Sequence, residues 1–566
     1  MPFRERQKDW SRGCLSPVFS ENKELGKLAK IPVVVGVTGH RDYLPEEREK
    51  LADLVRKELR AIRERCPHSP MVLLTSLAEG ADQLAAEAAL SEGYALSVPC
   101  PMPVPEFEKD FTADVLRNFR TLLTKADEVF CVPLGSPENI ADPSDFSDPE
   151  ARNHAYRTAG IYVAEHCHVM LALWDGNPGK PMGCGTAEAV DFKLNSVRDE
   201  PDLRSLQAPE GFVIQIETRR KSREAGFAES GRIRRFGDQK ELREILRETE
   251  RFNRDAERDA VSRKAVLAEE STGGMLGRIA AVYDAADRMS VQNAKKHRLT
   301  IGLISTAAAL FTISFLLYDE MSLYRLILLC GILIGALFLI SLVARRSEFH
   351  ERYIEYRMLA EGLRVQQFLL RSGVSESVGG QLSWAVQTRL PWVKEAFFAL
   401  TIGDAAMEND HSATAFCEDQ RLYHEKALQR TRKQLRRNDR IMKTALILTL
   451  LSYIGALFFE ITWGGLLGGE PVLSANTLEM LRTVLKIILG SLSAATLFAG
   501  SYYGKMSLDE LLSDHERMIR LFETGEHELE RVGESPALLL RLAREMLNEH
   551  ARFYACQSQN RPDVSL

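Results

Sequence analysis

Three short stretches of this chain place small, hydroxylated and charged residues at spacings that suit a phosphate or a sugar. The first is Val33 to Glu47 (VVVGVTGHRDYLPEE), a β-branched run that breaks into Gly36, Thr38 and Gly39 and then His40, Arg41 and Asp42. Glycines let the backbone turn and approach a ligand closely. Thr38 offers a hydroxyl, His40 and Arg41 offer charge, and the N–H groups that open a following helix favour an anion. The stretch is neither the Gly-x-Gly-x-x-Gly dinucleotide fingerprint nor a P-loop ending in Lys-Ser/Thr. A plain strand-to-helix turn accounts for its glycines equally well. In the second stretch, LTSLAEGAD (74–82), Ser76, Glu79 and Asp82 either cap a helix or read ribose hydroxyls, and Gly80 again permits close approach. In the third, ALWDGNPGKPMGCGTAEAV (172–190), Asp175 and Gly176 end a buried strand, and Gly183, Gly185 and Thr186 open the next helix as a second phosphate-cradling turn.

These loops need a scaffold that brings them together. Strand-like runs occur at 33–37, 71–75, 95–99, 128–133, 168–174 and 212–217, with helical patterns such as 45–66 and 80–93 between them. Apolar strands alternating with helices predict an α/β doubly wound parallel sheet, a Rossmann-like domain. Ligands in such sheets bind outside the carboxyl ends of the strands, where all three loops fall. The basic stretch 218–240 reads as a loop, either over the ligand site, at a membrane surface or simply solvated. Residues 241–298 read as charged helix leading into the first long apolar run.

The second half of the chain is dominated by apolar runs. The chain has 566 residues and a net charge of -6, which excludes a general basic field for DNA or RNA. Nine cysteines without a C-x-x-C pair suggest neither a zinc site nor a disulfide framework, and reduced thiols are expected. His166-Cys167-His168 is not expected to bind metal, because neighbouring side chains on a strand alternate in direction. The polar start MPFRERQKDWSRG carries no apolar core of a signal peptide. Four runs, 299–318, 326–344, 444–463 and 484–503, each approach the length a helix needs to cross a bilayer. Lys and Arg flank the inner ends of the first three: KKHR (295–298), ARR (344–346) and RTRKQLRRNDRIMK (430–443). By the positive-inside rule both hairpin tips lie outside, and the N-terminal domain, the middle region and the C-terminus lie in the cytoplasm. Each hairpin precedes an amphipathic tail (350–370 and 514–532), an internal repeat whose tails are expected to pack together. Gly331-x-x-x-Gly335 and Ser491-x-x-x-Ala495-x-x-x-Ala499 are small-residue spacings that allow close membrane-helix packing. The hydroxyls of the first run, such as Ser305 and Thr306, suit either a pore lining or bonding to their own helix.

Taken together, GVTGHRD, SLAEGAD, the Arg152–Tyr156–Gly160 helix, LALWDG and GCGTAEAV resemble the SLOG superfamily, a Rossmann-like nucleotide-binding group that includes Lonely Guy phosphoribohydrolases and Smf-type DNA-processing proteins. YRMLAEGLRVQQF (356–368) and DQRLYHEKA (419–427) resemble the SLATT group of two-helix membrane effectors linked to SLOG proteins in bacterial conflict systems. The resemblance implies either a nucleotide N-glycosidase, with Arg152, Glu188 and Glu79 as candidate catalytic residues, or a domain that only binds a nucleotide signal. The enzyme pattern Pro-Gly-Gly-x-Gly-Thr-x-x-Glu is altered here: Met182 replaces a glycine, and Glu188 comes one position early, which rotates it about 100° on a helix. The expectation is a membrane-bound sensor–effector without a resident cofactor or metal. It would bind a cyclic ADP-ribose, a cyclic nucleotide or an NAD fragment made by a separate enzyme, and oligomerise to permeabilise a bacterial inner membrane in antiphage defence. The boundaries expected are 1–30 (extension), 31–220 (SLOG-like domain), 221–298 (linker), 299–344 and 444–503 (hairpins), and 345–443 and 504–566 (cytosolic helices).

Overall fold

The computed structural model describes residues 29–134, 142–177, 185–195, 211–222, 230–262, 274–321, 323–404, 413–463, 473–504 and 508–559. An N-terminal, mostly parallel sheet with helices precedes a helical region with four helices apolar and long enough to cross a membrane. Two compact units are built from interleaved segments. The first comprises Met1–Asp287, Met358–Asp410 and Pro536–Ala551; the second comprises Arg288–Arg357, His411–Ser535 and Arg552–Leu566.

In the first unit the chain runs through β1 (Val33–Gly39), α1 (Arg48–Arg65), β2 (Met71–Leu74), α2 (Ala81–Ser91), β3 (Ala95–Cys100), α3 (Ala113–Leu123) and β4 (Glu128–Cys131). It continues through α4 (Pro149–His166), β5 (Val169–Trp174), α5 (Thr186–Asn195), β6 (Val213–Glu217), β7 (Ile233–Phe236) and α6 (Gln239–Ser262). The strand order is β4-β3-β2-β1-β5-β6-β7. All neighbours are parallel except β7, which pairs antiparallel with β6. The chain moves outward from β1 to β4 and then returns beside β1 as β5, so the topological switch point lies between β1 and β5. Fully buried Val33, Val34 and Leu73 and nearly closed Leu171 reflect helices on both faces. In α1, Leu51, Val55, Leu59 and Ile62 recur at helical spacing and form its buried stripe.

Six strands lie where the sequence predicts them. β7 falls in the stretch expected to be basic loop, because Ile-Arg-Arg-Phe has no apolar alternation; it forms as an edge strand, where charged side chains are tolerated. α6 is part of this unit and not a free linker. Asn253 accepts from the Ile31 amide at 2.8 Å and donates to the Ile31 carbonyl and to Ser69 Oγ, both at 2.8 Å. Phe252 beside it is fully buried.

The remaining helices include α7 (Met275–Glu320), α8 (Leu326–Ser347), α9 (Phe349–Arg371), α10 (Pro391–Leu400), α11 (Ala413–Thr462), α12 (Ala475–Gly504), α13 (Leu508–Val532) and α14 (Pro536–Gln559). α6 ends at Ser262 and α7 begins at Met275, so only part of 241–298 is continuous with the first apolar run. The most apolar stretches of the four candidate spans have mean hydropathies of 2.0, 3.0, 1.9 and 1.6 and are 6–11% buried inside the protein. Side chains this apolar and this exposed suit lipid, and they mark a multi-pass membrane protein.

The expected pairing of the two tails takes another form. α13 packs along α11, where Cys417, His424, Leu428 and Thr431 on α11 and Met518, Phe522 and Leu529 on α13 are buried. The second half of α9 belongs to the first unit, where the Phe397 ring of α10 fills the space beside Gly362. Apolar periodicity predicts that a tail is covered but not by which helix. Within the membrane-length helices, Leu316 lies against Gly490 and Met442 against Gly500. Glu460 and Arg482 form a bidentate pair at 2.7 and 2.6 Å, and Lys486 reaches Glu320 at 3.2 Å. Beyond their own helix, no atom of the described residues lies within 4 Å of the position a Cβ would take at Gly331 or Gly335.

Candidate functional site

An open cleft of about 1180 Å³ lies at the carboxyl ends of β1 and β5. Residues from all three glycine loops line it: Thr38, Gly39, His40 and Arg41 from the first; Ser76 and Asp82 from the second; Asp175, Gly176, Gly185 and Thr186 from the third. Gly183 lies outside the described residues. Gly36, Glu79, Gly80 and Arg152 are not among the lining residues.

The register β1–β5 aligns Thr38 with Ala172 and Gly39 with Leu173, and the His40 amide continues the ladder to the Leu173 carbonyl at 3.1 Å. His40 Nε2 stands 3.1 Å from the Asp175 amide nitrogen and 3.2 Å from Asp175 Oδ1, so both the backbone and the carboxylate of Asp175 hold the ring. Burial holds the His40 pKa below its ordinary value against the opposing pull of Asp175, so the neutral ring is the resting form. The Asp175 carboxylate accepts from the Asn177 amide at 3.0 Å and shapes the turn at Gly176, where φ is +81°.

The glycines of the first loop are needed chiefly for packing. A Cβ at Gly39 would stand 2.4 Å from the Ala81 Cβ, and one at Gly36 would stand 2.7 Å from Cys167 Sγ. Gly80 has a φ of +90°, and a Cβ there would meet the backbone of His40 and Arg41. These contacts set α2 directly against the end of β1. The loop before it holds fully buried Leu77 at a φ of +56°, a costly conformation for a bulky residue, with its amide 3.3 Å from Thr75 Oγ1.

Asp82, in the first turn of α2, accepts from Thr75 Oγ1 at 3.0 Å. Burial pushes its pKa up to about 7, although Thr75 and Arg41 oppose the shift. Ser76 Oγ donates to the Pro99 carbonyl at 2.8 Å. Exposed Arg41 lies over the Tyr156 ring, 5.3 Å from its centroid. Gly185, just before α5, and Thr186 at its start also border the cleft, so two helix N-termini, those of α2 and α5, stand at its walls.

The candidate catalytic residues are dispersed. Arg152 pairs with Asp110 at 2.7 Å and donates to the carbonyls of Phe146 and Glu106, which ties down the segment before α3. Glu188 is on the cleft, held by Arg157 Nε at 2.7 Å, with its other oxygen buried and without a partner among the described residues. Arg157, not Arg152, is therefore the α4 arginine at the site. A sequence signal for it exists: Arg157 stands three residues before Gly160, so the two share a helix face. Trp174 of the LALWDG motif, Gln215, Arg220 and Arg234 also line the cleft, and of these only Gln215 lies outside the motifs and the basic stretch singled out in the sequence. Arg220 and Arg234 come from the basic stretch after β6, so its described part reaches the site. Arg220 is held by Asp42 at 2.8 Å and Arg234 by Glu217 at 2.6 Å.

His166 and His168 lie away from the cleft, each with a local role. His168 Nδ1 accepts from the Val34 amide at 3.1 Å, His166 stacks on Tyr162, and burial pulls both down to about 4.

Residues 281–374 match the model of a family described as a protein of unknown function, DUF4231. The match spans most of α7, all of α8 and α9, and a few residues beyond; the cleft lies outside it. No curated protein matches the chain.

Proposed function

We propose that this protein is a membrane-bound sensor–effector. Its SLOG-like domain binds a nucleotide-derived signal, such as a cyclic ADP-ribose, a cyclic nucleotide or an NAD fragment. The signal is made by a separate enzyme and leaves the cleft unchanged. Binding drives self-association of two SLATT-like hairpin units and permeabilises a bacterial inner membrane, with both termini cytoplasmic, in defence against phage. The observation that carries this reading is the cleft at the β1/β5 switch point, bordered by two helix N-termini and exposed Arg41, in the same chain as four membrane-length helices. Gly331 and Gly335, with no neighbour among the described residues within 4 Å of a Cβ placed there, supply a surface for close packing between copies.

Binding without turnover is favoured over N-glycosidic hydrolysis. Arg152 is committed to Asp110, Glu79 is off the cleft and Glu188 is engaged by Arg157.

Calorimetry of the full-length protein in detergent against a nucleotide panel, with separation of the products, tests the reading. One nucleotide should bind and be recovered intact. Arg41→Gln should weaken it at least tenfold, the scale of one charge-assisted hydrogen bond, without changing the melting temperature. In liposomes the same nucleotide should release trapped dye. Recovery of a cleaved nucleotide would replace the sensor with a hydrolase, and an unmoved affinity in Arg41→Gln would put the site elsewhere.

A further inference from the structure

In the second unit the helices leave their apolar runs through a band of cations. Lys295 and Arg298 precede the run of α7, Arg346 comes after that of α8, and Arg436, Arg437 and Arg440 precede that of α11; all six are exposed. At 1.5 Å per helical residue these side chains start within about 12 Å of the apolar runs, a depth comparable to the headgroup layer plus one Debye length.

The two faces of α11 differ. On the side packed against α13, carboxylates serve the cations: Arg432 pairs with Glu516 at 2.6 Å and Arg421 with Glu526 at 3.0 Å. On the outward side, Arg436, Arg437 and Arg440 have no ion-pair partner among the described residues, and like charges three and four residues apart repel one another. A fixed anionic layer at this depth offsets that repulsion. A freely diffusing acidic partner would not need the cations gathered beside the apolar ends of three helices.

We propose that this band is a binding surface for the headgroups of anionic phospholipids. It rests on the membrane-length helices alone and needs no nucleotide in the cleft.

The full-length protein in mixed micelles, titrated with phosphatidylglycerol or phosphatidylcholine and read by native mass spectrometry, tests this. Phosphatidylglycerol should be retained saturably and in preference. Arg436→Gln, Arg437→Gln and Arg440→Gln together should reduce the preference by about fivefold per charge removed. The three lysine substitutions at the same positions should preserve it, which a purely structural effect would not. Chloride and inorganic phosphate at matched ionic strength should weaken retention equally. Equal retention of both lipids, an unchanged preference in the glutamine variant, loss in the lysine variant, or specific competition by phosphate would each overturn the proposal.

Discussion

Asp82 is a carboxyl group on the cleft whose charge is in balance near neutrality. Its pKa in the folded protein, about 7, stands above the ordinary 3.8 because burial disfavours the anion. The folded state therefore holds the proton more tightly than the unfolded one. The resulting stabilisation is complete below 3.8 and is lost as pH rises through about 7. The whole effect is at most about 4 kcal/mol. Asp82→Asn should flatten the fall in melting temperature between pH 5 and pH 8; a fall as steep as in the wild type would mean that another group titrates. The sequence placed Thr38, His40, Arg41 and Asp82 at or just beyond strand ends, because apolar β-branched runs that give way to small and charged residues mark where strands stop, and these four line the cleft. The reason for the glycines was not legible. Gly36 and Gly39 suit close approach to a phosphate equally well on paper, and only the packing of Cys167 and Ala81 shows what fills the space. A substitution at Gly39 would disturb α2 as well as the cleft, so it is a poor probe of binding.

At the scale of elements, strands and membrane runs were the readable part, because continuous apolar β-branched segments and twenty-residue apolar runs have distinctive lengths. Partnership was less readable. α6 has the heavily charged composition of a linker helix, yet its apolar side and Asn253 close the amino-terminal edge of β1. Asn253→Ala leaves the buried Ile31 amide without its acceptor and should cost about 1–3 kcal/mol. Thermal unfolding of the full-length variant measures this, and a shift within error would reduce the clamp to a bystander. By the same logic a fragment ending at residue 240 lacks α6 and is not a suitable carrier for binding measurements. β7 escaped detection because four residues with two arginines carry no periodic signal.

For the whole molecule, α11 shows how much of a long helix is not membrane. Its 50 residues span about 75 Å, more than twice the hydrocarbon core. The sequence marked where the apolar part begins through the density of Lys and Arg before Thr444. The topology proposed from that density puts the loop between α11 and α12 outside. A cysteine at Ser474, in a background without native thiols, should react with an impermeant maleimide in intact cells; protection there with labelling only after permeabilisation would invert the arrangement. The two units were not legible as such, because each is assembled from segments far apart in the chain and periodicity carries no long-range address.

That interleaving has a consequence for how the protein is made. Leu539, Ala543 and Leu547 of α14 are buried, and they belong to the unit that contains the cleft. A ribosome delivers them only after all four apolar runs have emerged. The unit that holds the cleft is therefore unfinished throughout membrane insertion, and a chain stalled or cut before Pro536 carries its hairpins without the last buried turns of that unit. The order of synthesis thus places emergence of the apolar runs first and completion of the cleft-bearing unit last.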